Sequence, residues 1–119
     1  MPGRYALVVD DDVDMVWVLR ITLQLSGYVV RSAQTAAQAL ARMRAGHFAI
    51  AFIDVRLPDM DGLKLAERLT QIDRAMRIVI ISGYYVQEDP AIIGPMRQLG
   101  LHGFLAKPFQ VEAIEAALV

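Results

Sequence analysis

Apolar residues gather in five short runs along the chain, and between the runs they recur at helical spacing. The runs are Tyr5-Ala6-Leu7-Val8-Val9, Tyr28-Val29-Val30-Arg31-Ser32, Ile50-Ala51-Phe52-Ile53-Asp54, Arg77-Ile78-Val79-Ile80-Ile81 and Gly103-Phe104-Leu105-Ala106. Near-continuous apolar stretches of β-favouring residues predict strands buried on both faces, since a half-exposed strand would alternate. After Asp12, a candidate N-cap, the residues Val13, Val16, Trp17, Leu19, Arg20, Leu23 and Leu25 follow helical spacing as far as the stop at Ser26-Gly27. Ala36, Ala37, Ala39, Leu40 and Met43 form the apolar side of a second helix that ends before Gly46. Leu63, Leu65, Ala66 and Leu69 mark a third after Gly62, and Val111, Ile114 and Leu118 lie on one side of a last helix from Phe109 to Val119. Strands alternating with helices predict a parallel sheet covered on both faces, joined by right-handed crossovers.

One stretch fits this pattern poorly. The fourth helix must lie between Tyr84 and Leu101, yet Gly94-Pro95 interrupts its only candidate, Asp89 to Leu99. An interior proline costs a helix about 3 kcal/mol, so a short, kinked or displaced helix is expected here, and the segment should be the least stable part of the domain. Asp89-Pro90 is suited to open one turn as cap and first residue, and Pro95 to open another.

Composition narrows the reading. At 119 residues the chain has the length of one domain. It has no cysteine, which rules out disulfides, thiolate metal sites and thiol nucleophiles and fits a reducing compartment, so a cytoplasmic location is expected. Twelve basic and thirteen acidic residues leave a formal charge of −1. With no basic run, the residues offer no footprint for direct nucleic-acid binding. No apolar run approaches the ~20 residues that span a bilayer, and Met1 to Val9 do not read as a basic start followed by the apolar segment of a secretory signal.

The candidate chemistry sits where the strands stop. Asp10 and Asp11 follow the first strand, Asp54 ends the third, Ser82 follows the fourth and Lys107 the fifth. In a parallel sheet these ends share one edge, outside which ligands of open α/β folds bind. Leu57-Pro58-Asp59-Met60-Asp61-Gly62 after Asp54 is turn chemistry, with Pro58 fixing one dihedral and Gly62 permitting positive φ. Two carboxylates ~5 Å apart repel by roughly 3 kcal/mol at an effective dielectric near 20, so three in one crevice call for a cation. Hard oxygen donors favour Mg²⁺, or Mn²⁺ in its place. A cation, a lysine, a hydroxyl and a carboxylate nucleophile together suit phosphoryl transfer to Asp54, where the protein's task is positioning and charge neutralisation. Taken singly, each piece has a plainer reading. Asp54 and the Asp10–Asp12 run serve as caps, Ser82-Gly83 as a turn, Lys107-Pro108 as a surface corner and Phe104 as a core aromatic. Their order and strand-end placement make the set specific.

Four stretches carry a resemblance to a known family: Val8-Val9-Asp10-Asp11-Asp12, Ile53-Asp54-Val55-Arg56-Leu57-Pro58-Asp59-Met60-Asp61-Gly62, Ile81-Ser82-Gly83 and Lys107-Pro108-Phe109. From about Tyr5 to the last helix the chain resembles the receiver domains of two-component response regulators. The resemblance implies a flavodoxin-like, doubly wound, five-stranded parallel sheet of the (βα)5 kind, here with a shortened or distorted fourth helix. It implies that Asp54 is phosphorylated by a histidine kinase, directly or through a phosphotransfer protein. Asp10, Asp11, Asp54 and the backbone carbonyl of Arg56 would hold Mg²⁺, and Lys107 and Ser82 would take catalytic roles. Ser82 and Phe104 would act as switch residues, and the Lys107-Pro108 bond would be cis. The face of the fourth helix, fifth strand and fifth helix would read the switch out to an output domain or downstream protein, and a phosphorylation-dependent dimer is compatible with it. Met1-Pro2-Gly3 just ahead of the first strand suggests that residues 1–119 are an N-terminal receiver module, and the end at Val119, inside a helix without a stop signal, suggests truncation or a longer parent.

The chain also departs from the family pattern. Arg56 and Tyr84, each two residues beyond a site residue, would hang over the mouth and limit access of water. The loop after Ser82 is longer than expected, and Leu101 stands where a small residue is usual. Two rival readings are an interaction-only relative that is never phosphorylated and an aspartyl-phosphate phosphatase. The phosphatase needs an acid two residues after the nucleophile, where this chain has Arg56.

Overall fold

The computed structural model of the chain describes residues 4–85 and 88–119. Strands β1 (Arg4–Val9), β2 (Tyr28–Ala33), β3 (Ile50–Asp54), β4 (Arg77–Ser82) and β5 (Gly103–Ala106) form one parallel sheet in the order β2-β1-β3-β4-β5. Helices α1 (Val13–Leu25), α2 (Ala36–Ala45), α3 (Gly62–Ile72), α4 (Pro90–Leu99) and α5 (Val111–Ala117) alternate with them. This is the flavodoxin-like doubly wound arrangement, whose strand order reverses between β1 and β3 and opens a crevice there.

Alternation along each strand explains why the runs are continuously apolar. Leu7, Val9, Ala51, Ile53, Ile78 and Ile80 face one core with Ala36, Leu65, Leu69 and Ile92 of α2, α3 and α4. Their neighbours Ala6, Val8, Ile50, Phe52, Val79 and Ile81 face the other with Leu19, Leu23 and Ile114 of α1 and α5. At the sheet edge, guanidinium groups of Arg20, Arg31 and Arg42 donate to the Val30 or Ser32 carbonyls of β2, which blunts an edge otherwise open to pairing.

Helix α1 has two apolar sides. Leu19, Thr22 and Leu23 are buried, whereas Val13, Trp17, Ile21 and Leu25 are 66%, 63%, 36% and 85% exposed. The apolar spacing read from the sequence therefore mixes a core face with an outward ridge of residues four apart, a distinction that period alone does not make.

The fourth helix is not shortened. It runs without a break for ten residues, as long as α2. Asp89 caps it, accepting from the Ala91 N–H at 2.9 Å, and Pro90 is its first residue. Pro95 lies inside the same helix and opens no second turn. The physical reason is Gly94: the proline ring disfavours helix in the preceding residue partly by meeting its Cβ, and glycine has none. Ile92 anchors the helix in the core, and Gly100, at φ 65°, ends it. Val86 and Gln87, within the stretch expected to be irregular, lie outside the described residues. Among the described residues no helix is long and apolar enough to cross a membrane.

Candidate functional site

The parallel sheet carries four strand ends to one edge. Asp10 follows β1 and remains tied to the sheet through its N–H on the Ala33 carbonyl, 3.0 Å away. Asp54 and Ser82 are the last residues of β3 and β4, and Lys107 follows β5 with its N–H on the Ser82 carbonyl at 2.7 Å. Asp10, Asp54 and Ser82 are all buried polar groups. Such groups require partners or a ligand.

The two buried carboxylates are held alike. Oδ1 of Asp10 accepts from the Asp12 N–H at 3.0 Å, and Oδ1 of Asp54 accepts from the Arg56 N–H at 3.3 Å. Each second oxygen turns to the same ammonium: Lys107 Nζ lies 2.8 Å from Asp10 Oδ2 and 3.3 Å from Asp54 Oδ2. The first contact is an ion pair by distance without hydrogen-bond alignment, so the fully buried Asp10 Oδ2 receives no hydrogen bond. Asp12 caps α1 through the N–H groups of Asp14 and Met15 and keeps its other oxygen 4.0 Å from Lys107.

Negative charge is in excess here, with one ammonium against the carboxylates of Asp10, Asp11, Asp12 and Asp54. Burial pushes the Asp54 carboxyl up to about 6, with Asp10 adding to the rise and Lys107 opposing it. Burial by itself would lower Lys107, but Asp10 and Asp54 outweigh it and hold the ammonium above its usual range. One oxygen from each of Asp10, Asp11 and Asp54 lies within 4.8 Å of the others. Hard oxygen donors and surplus negative charge together fit Mg²⁺ or Mn²⁺.

A cavity of about 250 Å³ opens beside Asp54, lined by Arg56, Ser82, Gly83, Tyr84 and Lys107. Ser82 Oγ accepts from the N–H groups of Tyr84 and Tyr85 at 3.0 and 2.7 Å, which shapes the loop and leaves the hydroxyl proton to donate. The Arg56 guanidinium stacks over Tyr84, 3.7 Å from the ring centroid, and Tyr84 meets Tyr85 edge to face at 4.9 Å. Phe104 lies within β5, half-buried and packed on the core of α3 and α4, and does not line the cavity. The Lys107-Pro108 peptide is cis.

Two features of the loop after Asp54 differ from what turn chemistry alone suggests. Gly62 has no positive φ; a Cβ there would overlap the backbone carbonyl oxygen of Asp54, so glycine is required for close approach. Asp59 reaches across to α2, its oxygens accepting from the N–H groups of Ala36 and Ala37 at 2.8 and 3.0 Å. Only an Asp in a turn was visible in the sequence, with nothing local to indicate its distant partner.

The sequence matches the response regulator receiver domain family over residues 6–119. The chain belongs to that family. The receiver domain is 31% identical over 107 residues to the C4-dicarboxylate transport transcriptional regulatory protein DctD of Rhizobium meliloti (strain 1021), covering 90% of the chain and 23% of that protein. It is 31% identical over 112 residues to the transcriptional regulatory protein BasR of Escherichia coli (strain K12), covering 94% of the chain and 49% of BasR. The chain thus spans about half or less of the length of these relatives. Among solved structures it is similar to a response regulator protein from Burkholderia pseudomallei with a phosphorylated aspartic acid, calcium ion and citrate. That match has 32% identity and a TM-score of 0.86, covering 98% of this chain and 66% of that one.

Proposed function

We propose that this receiver domain takes a phosphoryl group from a histidine kinase, or from a phosphotransfer protein, onto Asp54 in a Mg²⁺-dependent reaction. The observation that carries the reading is the shared ammonium: Lys107 stands between Asp10 and Asp54, beside three converging carboxylates. Asp10, Asp11, Asp54 and the Arg56 backbone carbonyl would hold Mg²⁺ or Mn²⁺, which supplies positive charge to the phosphoryl oxygens when bound. An Asp54 carboxylate oxygen attacks phosphorus, the phosphorus–nitrogen bond of the donor phosphohistidine breaks, and the imidazole nitrogen keeps the electron pair. Lys107 pairs with the charge that arrives, and the Ser82 hydroxyl donates a hydrogen bond to a phosphoryl oxygen.

The acyl phosphate adds about −1.5 to −2 charges at the strand ends. Ser82 moving toward that charge draws on the loop it organises through Tyr84 and Tyr85, and Phe104 turns inward into the space behind it. The face of α4, β5 and α5 changes as a population shift set by the differential affinity of the phosphoryl group for the two states. An output domain or separate downstream protein reads this face, and the phosphorylated domain is able to pair through it. The domain is a cytoplasmic signalling module whose catalysis is limited to its own phosphorylation and dephosphorylation, with no direct contact to nucleic acid or membrane. Arg56 and Tyr84, stacked beside the cavity, limit access of water to the acyl phosphate.

Intact mass after incubation with Mg²⁺ and acetyl phosphate tests the reading. One phosphoryl adduct is expected, lost in Asp54→Ala and without Mg²⁺. A wild-type chain that never gains the adduct would instead be an interaction-only module.

A further inference from the structure

The first N–H groups of a helix have no partner within it and need acceptors from elsewhere. In α2, Thr35 Oγ accepts from Gln38 at 3.1 Å, but the N–H groups of Ala36 and Ala37 are taken by Asp59, which belongs to the loop between β3 and α3. The first turn of α2 has no acidic residue of its own, so Asp59 also supplies the negative charge that the positive end of the helix dipole favours. Those same N–H donors hold the Asp59 carboxyl below its ordinary value.

The loop that Asp59 ties down contains Arg56. At its base, Gly62 N–H donates to the Val55 carbonyl at 2.6 Å, and Arg56 pairs with Asp61 in an antiparallel bridge. Asp59 holds the part of the loop that projects away from this base, and the surface it is held to is α2. A loop fixed at base and tip presents its backbone carbonyls in one orientation; freed at the tip, it must order again each time an ion binds.

We propose that Asp59 is a positioning residue for the cation site: by fastening the β3–α3 loop to the start of α2 it sets the Arg56 carbonyl, and it couples ion binding at Asp10 and Asp54 to order at the start of α2. The inference rests on the ion-binding reading given above. Coupling of this kind is reciprocal. Mg²⁺ therefore protects the first turn of α2, and loss of the tether weakens Mg²⁺.

The test is a Mg²⁺ titration of the full chain followed by amide hydrogen exchange at Ala36 and Ala37, in wild type, Asp59→Ala and Asp59→Asn. Asp59 is exposed, and an unchanged far-UV spectrum serves as the folding control. Expected are slower exchange at both amides when Mg²⁺ binds wild type, and an affinity lower by about tenfold in Asp59→Ala, the size usual for a residue that orients a ligand. Asp59→Ala should show no slowing at Ala36 and Ala37, and Asp59→Asn, which keeps one acceptor oxygen, should fall between. Wild-type Mg²⁺ affinity in Asp59→Ala would reduce Asp59 to a helix cap and overturn the inference alone. No binding of Mg²⁺ to the wild-type chain would overturn the ion-binding reading together with it.

Discussion

Gly62 lies against the backbone carbonyl of Asp54 with no room for a side-chain carbon between them. A Cβ at residue 62 would also crowd the Val55 backbone, and the obstacles are main chain in a sheet, unable to swing aside as a side chain does. Overpacking of this kind costs about 1–3 kcal/mol, and the short Gly62 N–H bond to Val55 would be strained as well. Gly62→Ala is expected to lose about 2–4 kcal/mol in urea denaturation. It should also lose most of its phosphoryl adduct, because any relief displaces Asp54. A variant within about 0.5 kcal/mol of wild type, the usual range for an unconstrained surface change, would contradict this account.

Stability without divalent ions should depend on Asp54. Its folded carboxyl, pushed up to about 6 by burial and then by Asp10, lies above its ordinary 3.8. The protonated group therefore favours the folded state, a contribution fully present below 3.8 and lost as pH rises through about 6. In chelator, the melting temperature of wild type relative to Asp54→Asn should fall between about pH 4 and 7. Asp54→Asn should be the more stable at pH 7 by on the order of 1–2 kcal/mol, since it removes one of the crowded charges. Saturating Mg²⁺ should abolish the fall in wild type by favouring the ionised form. Parallel metal-free pH profiles for the two proteins would refute the assignment.

What the sequence made legible was whatever depends on period and order. Runs such as Ile78-Val79-Ile80-Ile81 are continuous because alternate residues feed two cores, and once the strands are parallel the meeting of Asp10, Asp54, Ser82 and Lys107 at one edge follows from topology. Contacts between distant segments carried no such signal. The Asp59 tether joins residues more than twenty apart, and the Arg56–Tyr84 stack depends on rotamers in two separate loops. The outward ridge of α1 was hidden because Val13 and Trp17 share a helical period with the buried Leu19 and Leu23 without sharing their side.

Helix α4 illustrates propensity overridden by context. Pro95 removes one intrahelical donor, but Asp89, Gly94, Ile92 and Gly100 cap, relieve, anchor and end the helix around it. Pro95→Ala restores the missing N–H and should slow amide exchange within α4 by roughly tenfold, a gain of about 1–2 kcal/mol in local stability. Faster exchange in the variant would mean that the packing of the proline ring outweighs its missing donor.

The Arg56–Tyr84 stack should lengthen the life of the acyl phosphate, and the two residues should act as one unit. A cation over an exposed aromatic face is worth about 0.5–1 kcal/mol, so breaking the stack changes the open fraction of the mouth by roughly two- to fivefold. After removal of the phosphodonor, the rate of adduct loss followed by intact mass should rise by that factor in Arg56→Asn and in Tyr84→Ala. Tyr84→Phe, which keeps the ring, should match wild type. Because either single change already breaks the stack, the double variant should lose phosphate no faster than the faster single one, the non-additivity of residues that share one interaction. Multiplying effects would mean that each side chain shields the acyl phosphate separately, and unchanged rates in both single variants would mean that neither does.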